Sequence, residues 1–425
     1  MKRNWIRILA IVLMLGMLSG CTMISPSTLE SMFGSKDTTA AATAVPTEAV
    51  SSGEDTVTIS LEEYQRLNRF AELNEIYDLA HEYFYKDIDD EKMLDEASRG
   101  LLTGLDDPYS YYYNPEEYAK MWEDDEGVYG GIGILISANY KTQICTISRV
   151  FQGSPAEAAG VHRGDILYRV GEDLYVTADT LEDAVKIMRG EPGSSVDVAF
   201  LRNGEEISFT IPREIINVNQ IESTMLDEKV GYIALYQFAG QCEQEFEKAL
   251  NELLGKGMKG LIIDLRDNGG GWVDQARYIG DLFMDEGELC YLRFKDGTED
   301  HSYYLTQNGK VNVKIVVLVN ENSASSSEIL TGALRDCADA VIVGTKTFGK
   351  GIVQNVIPVG SRGAGFQITV AEYFSPKGNA VHDIGIEPDV LVELPEGDNG
   401  MYGFADVKQD IQLAKAYETI LEKMK

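Results

Sequence analysis

Val313-Lys314-Ile315-Val316-Val317-Leu318-Val319 runs through three residues into Ser323-Ala324-Ser325-Ser326-Ser327-Glu328-Ile329. The first stretch is an apolar run of strand length and reads as a buried strand. After the serines, Ile329, Leu330, Ala333, Leu334 and Cys337 recur as the stripe of a helix packed on a core. A small hydroxyl residue at such a junction sits among unpaired backbone N–H groups, at the positive end of the helix dipole. That setting suits a nucleophile whose attack creates an oxyanion. A purely structural alternative is that Ser323 or Ser325 caps the helix, with Glu328 in its first turn.

Lys350 stands between Gly349 and Gly351, after the apolar run Ala340 to Gly344. Glycines on both sides let the backbone turn sharply and approach another element closely. A lysine serves as general base only when its surroundings keep it neutral at the moment it accepts a proton. Gln354 offers an uncharged carbonyl that can orient an amine. Four residues of straight strand span ~13 Å, so the two side chains meet only if the glycines kink the chain.

Upstream, the short apolar strand Leu261 to Leu265 carries one acid, Asp264, and continues into Arg266-Asp267-Asn268-Gly269-Gly270-Gly271. A strand, a glycine-rich loop and a helix also make phosphate-binding loops. Here the Lys-Ser/Thr ending and the dinucleotide spacing are both missing, which argues against a nucleotide.

Taken together, Ser-Ala-Ser-x-Ser-Glu-Ile, Gly332 to Asp336 and Lys346 to Gln354 resemble the C-terminal processing peptidases, or tail-specific proteases. The resemblance implies Ser325 as nucleophile, Lys350 as base and Gln354 as its orienting partner. The Asp264 to Gly271 stretch is similar to that family's oxyanion loop. It implies an N–H of Gly270 or Gly271 acting with that of Ser326, while Asp264 and Arg266 brace the loop. Ser326 stands where the family usually has alanine, and only its backbone N–H is used. No metal or organic cofactor is implied.

A second resemblance lies between the helical N-terminal part and the catalytic motifs. Gly131-Ile132-Gly133-Ile134, Ser154-Pro155-Ala156 with Ala159-Gly160, and Arg163-Gly164-Asp165 with Ile166-Leu167 are similar to a PDZ domain. Strands are expected from Gly130, at Cys145 to Phe151 and at Ile166 to Val170, with a helix over Thr180 to Met188 and a hairpin turning at Asn203-Gly204. The resemblance implies that a peptide C-terminus adds as a strand beside Ile134, its carboxylate held at Gly131, Ile132 and Gly133. Arg189, at the end of that helix, would sense occupancy or simply cap it.

The N-terminus shows Lys2, Arg3 and Arg7 before the apolar run Ile8 to Leu18, too short to span a membrane and shaped like a signal peptide. It ends in Leu18-Ser19-Gly20-Cys21, which resembles a bacterial lipobox and implies a lipid on Cys21. The Ser-, Thr-, Ala- and Pro-rich stretch that follows reads as a flexible stalk. These features place the protein at the extracytoplasmic face of the bacterial cell membrane, lipid-anchored.

Counting 37 basic and 69 acidic residues, the formal net charge is −32. Loss of the signal removes three more positive charges, so nucleic acid and anionic lipid surfaces are repelled. Expected partners are protein or peptide substrates with free C-termini, and the membrane through the lipid; a homo-oligomer is compatible with the reading. Cys145, Cys242, Cys290 and Cys337 match no metal-ligand spacing, and Cys145 and Cys337 sit in apolar runs that suggest buried thiols.

The expected organisation is a signal peptide over 1–20, a lipidated flexible linker over 21–58, a helical domain over 59–117 and a PDZ domain over 118–213. A peptidase domain over 214–395 and a helical tail over 396–425 complete it. The fold class is α/β multidomain: an α/β protease core with an attached β-hairpin, a PDZ-like β-rich domain and an N-terminal helical segment. Two alternatives stand beside this reading. One is a hydrolase using His382 as base, since it alone of the four histidines follows the serine in the usual late position; the other is a non-catalytic peptide-binding protein.

Overall fold

The structure, a computed structural model, describes residues 23–24, 57–139, 142–305, 311–395, 398, 400 and 402–425. The signal peptide, Cys21 and nearly all of the expected linker lie outside the described residues. The exceptions are Val57–Thr58 and Met23–Ile24; the latter, read as part of a stalk, forms a short strand parallel to Gln354–Asn355.

The chain divides into two compact bodies, 27–106 and the remainder. In the first, helices Leu61–Asn68, Ala71–Tyr83 and Asp90–Thr103 follow one another; Ser60 and Asp89 cap the first and third. The expected helical periodicity is present, but its apolar residues, Leu61, Leu67, Leu73 and Ile76 among them, are exposed. The larger body resumes at Asp107, so the tail of the expected 59–117 segment joins it. There Tyr111–Tyr113 pairs with the long strand Ala364–Phe374, and the adjacent Tyr112 and Tyr113 are both buried.

The catalytic part of the larger body is built on a six-stranded sheet. Its order is Ile221–Met225, Val230–Leu235, Gly260–Asp264, Lys314–Val319, Val341–Gly344 and Val390–Leu391. Only the first pairing is antiparallel; the parallel strands from Val230 to Gly344 are linked through helices, and the last link, from Gly344 to Val390, runs instead through the hairpin Ile352–Val359 with Ala364–Phe374. Strand residues point to opposite faces in turn. Val230, Tyr232, Ala234, Ile262, Val316 and Leu318 therefore bury one face under Leu413, Ala416 and Ile420 of the last helix, Ile411–Lys423. The expected tail is thus a layer of this core. The expected hairpin, Ile352–Val359 with Ala364–Phe374, belongs to a second six-stranded sheet, which also takes in Tyr111–Tyr113, Tyr291–Phe294 and Glu299–Asp300.

In the PDZ-like part, Ile134–Asn139, Ile144–Val150, Ile166–Val170, Ser195–Arg202 and Glu205–Pro212 form an antiparallel sheet, with Ile134–Asn139 at its edge. Helices Pro155–Ala159 and Leu181–Met188 complete it. The strand expected to start at Gly130 is two strands. Val128–Gly131 pairs with Glu214–Asn217, so the chain passages into and out of this part lie side by side. The break at Ile132–Gly133 follows from crowding: Gly133 has φ +85°, and a Cβ there would lie 2.3 Å from Ser154 Cβ.

All four described cysteines are free thiols. Cys145 is buried as expected, but Cys337 is exposed, because it closes its helix where the chain leaves the core.

Candidate active site

The helix Ser326–Cys337 is buried on all sides through its first nine residues, Ser326, Ser327, Glu328 and Thr331 included. A one-sided stripe understates this, since the polar residues are buried too. Their polarity must be matched inside the protein. Ser323 Oγ donates to Leu265 O at 2.7 Å, Ser326 Oγ to Gly271 O at 2.8 Å and Ser327 Oγ to Asn268 O at 2.8 Å. Of the hydroxyls from Ser323 to Ser327, that of Ser325 alone has no hydrogen-bond partner among the described residues; Thr331 Oγ1, further along the helix, has none either. Neither Ser323 nor Ser325 caps the helix through its hydroxyl. Ser325 instead sits at φ +60°, ψ −119°, a strained conformation for a residue with a Cβ. Such strain at a strand-to-helix turn is how a nucleophile is presented in other hydrolases.

Two glycines face this serine. Gly270 has φ +106°, and a Cβ there would lie 2.7 Å from Ser325 Cβ and 3.0 Å from Ser326 N. Gly271 has φ +135°, and a Cβ there would lie 2.0 Å from Phe238 O. Both positions therefore require glycine. Gly270 N donates to Asn268 Oδ1 at 2.9 Å, whereas the N–H groups of Gly271 and Ser326 are given no acceptor among the described residues. Asn268, wholly buried, also donates to Leu235 O and accepts from Ala324 N through its backbone carbonyl. It ties the glycine loop to the serine turn.

The loop is braced from behind. Arg266 Nη2 donates to Asp264 at 2.6 Å and to Asp410 at 2.7 Å, and Nη1 reaches Gln412. Asp410 is the N-cap of the last helix, so one guanidinium links the oxyanion-type loop to that helix. Its positive charge holds the Asp264 carboxyl below the ordinary range despite full burial.

Glu328 performs a task invisible in the sequence, where it reads as a first-turn acid. Its carboxylate accepts from Ser325 N at 2.9 Å, Gly349 N at 2.8 Å, Lys350 N at 2.8 Å and the Thr347 hydroxyl. One buried side chain thus clamps the serine turn to the lysine loop. Burial raises this carboxyl above its ordinary value, and the four hydrogen bonds oppose the rise.

Lys350 is buried, and its Nζ lies 4.6 Å from the centre of the Tyr109 ring. Gln354 is buried beside a register shift in its strand, donating to Thr369 Oγ1 at 3.2 Å, while its Oε1 has no partner. The structure therefore gathers Ser325, Lys350, Gln354, Gly270, Gly271 and Ser326 on adjoining elements. It joins neither Ser325 Oγ to Lys350 nor Gln354 Oε1 to Lys350 by a hydrogen bond. His382 is no closer to the role: its backbone packs on Gly351, its Nδ1 is unpartnered, and it does not bond Ser325 Oγ.

In the PDZ-like part, Gly131 closes the strand Val128–Gly131 and Ile132 is buried in the local core. Ile132 and Gly133 bend into the edge strand that starts at Ile134, and no acceptor meets their N–H groups among the described residues. Arg189 Nη2 donates to Asp124 Oδ1 at 2.9 Å, and its guanidinium lies 4.5 Å from the Tyr129 ring centre. Asp124 belongs to the helix Pro115–Glu126. The next residue, Asp125, accepts from Trp272 Nε1 at 2.7 Å, and Trp122 of that helix stacks on Trp272 at 5.7 Å. Trp272 directly follows Gly271, so one helix touches both Arg189 and the glycine loop.

Comparison with known proteins agrees with this architecture. Residues 229–392 match peptidase family S41, 130–212 a PDZ domain, and 29–117 the N-terminal domain of the activating protease CtpB. The carboxy-terminal-processing protease of Bartonella bacilliformis is 31% identical over 84% of this chain and 88% of its own length. CtpA of Bacillus subtilis is 33% identical over 77% of this chain and 70% of its own. Among solved structures, a photosystem II D1 C-terminal processing protease aligns with a TM-score of 0.51 at 27% identity. That alignment covers 79% of this chain and 94% of that one. The chain belongs to the C-terminal processing peptidases, serine-type peptidases of family S41 that carry a PDZ domain.

Proposed function

We propose that this protein is a Ser-Lys endopeptidase that recognises the C-terminal tails of its substrates. The observation that carries the reading is the unpartnered hydroxyl of Ser325, held at a strained turn against a glycine loop with free N–H groups. Ser325 Oγ attacks the scissile carbonyl while Lys350 Nζ, in its neutral form, takes the proton. The oxyanion is received by the N–H groups of Ser326 and Gly271, since that of Gly270 already serves Asn268. Collapse passes the proton from Lys350 to the leaving amine and leaves an acyl-enzyme. Water then attacks it, with Lys350 again as base. Because Lys350 lies against Tyr109, its amine must turn towards Ser325 when a peptide is bound.

Tail recognition falls to Gly131, Ile132, Gly133 and Ile134. The bare N–H groups of the bend suit a carboxylate, and the open edge of Ile134–Asn139 suits an added strand. Occupancy is reported through Arg189, the helix Pro115–Glu126 and Trp272 to the glycine loop. The signal-like leader and Cys21 support a site of action outside the cytoplasmic membrane, on a lipid anchor.

Two peptides differing only in a free or amidated C-terminus test the reading below saturation. The amidated peptide should be cleaved more slowly at a bond well upstream of the tail, and neither should be cleaved by Ser325→Ala. Equal rates for the two would remove tail recognition, and cleavage by Ser325→Ala would remove the nucleophile. Detergent partitioning tests the anchor: Cys21→Ala should release the protein or block its maturation, and unchanged partitioning would refute the lipid.

A further inference from the structure

We propose that Tyr109 is a positioning residue for the base, a ring that holds the charged form of Lys350 away from Ser325 until substrate arrives. The inference rests on Lys350 being the base and extends that reading to a residue outside the family motifs quoted above.

The contact is built into the fold. Tyr109 N donates to Asp107 Oδ1 at 3.0 Å, and Tyr109 O accepts from Gln367 Nε2 at 2.9 Å. Next in the chain, Ser110 Oγ donates to Asp107 Oδ2 at 2.6 Å and accepts from Thr369 N at 3.1 Å. Gln367 and Thr369 lie on the strand Ala364–Phe374, which pairs with the strand bearing Gln354 just beyond Lys350. One sheet therefore carries both the ring and the lysine loop, and fixes the 4.6 Å separation between ring centre and Nζ.

An aromatic face attracts an ammonium and does little for a neutral amine, and the attraction grows when water is excluded, as it is around buried Lys350. The ring thus favours the form that cannot accept a proton. Other charged or titratable groups border the same loop. Glu328 accepts from Lys350 N, Asp383 N donates to Gly349 O, His382 backs Gly351, and Glu372 lies opposite Ile352. Variants of Tyr109 leave all of them in place, so a change in the pH profile reads the ring.

The test measures kcat/KM against pH on an unstructured peptide, since this ratio reports groups of the free enzyme. In Tyr109→Leu the rising limb should move to lower pH by about one unit, giving up to ~10-fold higher kcat/KM below the wild-type limb. Tyr109→Phe, which keeps a face, should shift it less, and Tyr109→Trp should move it upward. This order among aromatic residues remains measurable if the leucine variant fails to fold. A loss of activity at every pH with the limb unmoved would make Tyr109 merely structural and overturn the proposal. Lys350→Ala is the control: activity surviving there would remove the base assignment itself. A dead Lys350→Ala with an unmoved limb in the Tyr109 variants would remove only the ring.

Discussion

Two glycine loops in this molecule bare backbone N–H groups, and they are supported differently. Gly270–Gly271 sits beside the serine turn, held by Asn268, whose contacts reach Leu235 and Ala324, and by Arg266, which reaches Asp410 in the last helix. Gly130 to Gly133, at the head of the PDZ-like sheet, is held from within that part: Gly130 and Gly131 pair with Ile215 and Glu214, Gly130 O accepts from Gly190 N, Ile132 O from Ala156 N and Gly133 O from Phe151 N, with Gly133 packed closely against Ser154. The proposed oxyanion loop is fixed by polar contacts drawn from across the fold, which would suit preorganised stabilisation of a developing charge. The proposed tail loop is held only by backbone of its own PDZ-like part, at Ile132 and Gly133 through their carbonyls, which leaves the N–H groups of those two residues for an incoming strand.

The largest effect is expected where the catalytic loop is overfilled. Gly270→Ala would put a Cβ 2.9 Å from Ala324 O and 2.7 Å from Ser325 Cβ. It should destabilise the protein by about 3 kcal/mol and lower kcat on the order of 10²-fold or more. A denaturant midpoint and single-turnover rates check both. Near-normal kcat would show that the loop does not face the reacting centre.

Next comes the clamp, which has no counterpart in the PDZ-like part. Glu328→Gln keeps the shape but turns an amide N–H₂ towards backbone donors, and should lower kcat on the order of 10²-fold through misplacement of Ser325 and Lys350. An acid limb separate from that of Lys350 follows from the raised carboxyl of Glu328. The ionised form holds the clamp, so activity should fall as pH drops through a value above that of an ordinary glutamate. Stability has the opposite sign: a raised folded-state value favours the protonated form, so this group's contribution weakens as pH rises through the same window. Two acid limbs retained in Glu328→Gln, rather than the one of Lys350, would assign this one to another group.

The smallest effect belongs to the tail loop. Gly133→Ala should raise KM roughly tenfold for a substrate with a free tail, about 1.4 kcal/mol, and leave kcat on an amidated peptide near wild type. An equal loss on both peptides would mean that the change spreads beyond tail recognition.

Much of this site was legible because its chemistry follows local grammar. The apolar run before Ser323, the paired glycines around Lys350 and the glycines after Asn268 each announce a turn of specified shape, and the structure holds a glycine under steric constraint at Gly270, Gly271 and Gly351. What stayed hidden is long-range. Glu328 reads as a capping acid because its partners at Gly349 and Lys350 lie a crossover away. Asn268 reads only as one residue of the glycine-loop motif, and Tyr109 carries no functional signal, although it is carried to Lys350 by strand pairing more than 250 residues along the chain. The stripe that placed Cys337 in the core failed because the helix outlasts its burial. Periodicity reports which face is apolar, not where the core ends.

The account turns on which side chain takes the proton from Ser325. Cleavage of one unstructured peptide by Lys350→Ala and His382→Ala, with folding of each verified by its thermal transition, decides it. The account predicts no detectable turnover in Lys350→Ala and substantial activity in His382→Ala. Turnover retained in Lys350→Ala and lost in His382→Ala would contradict it.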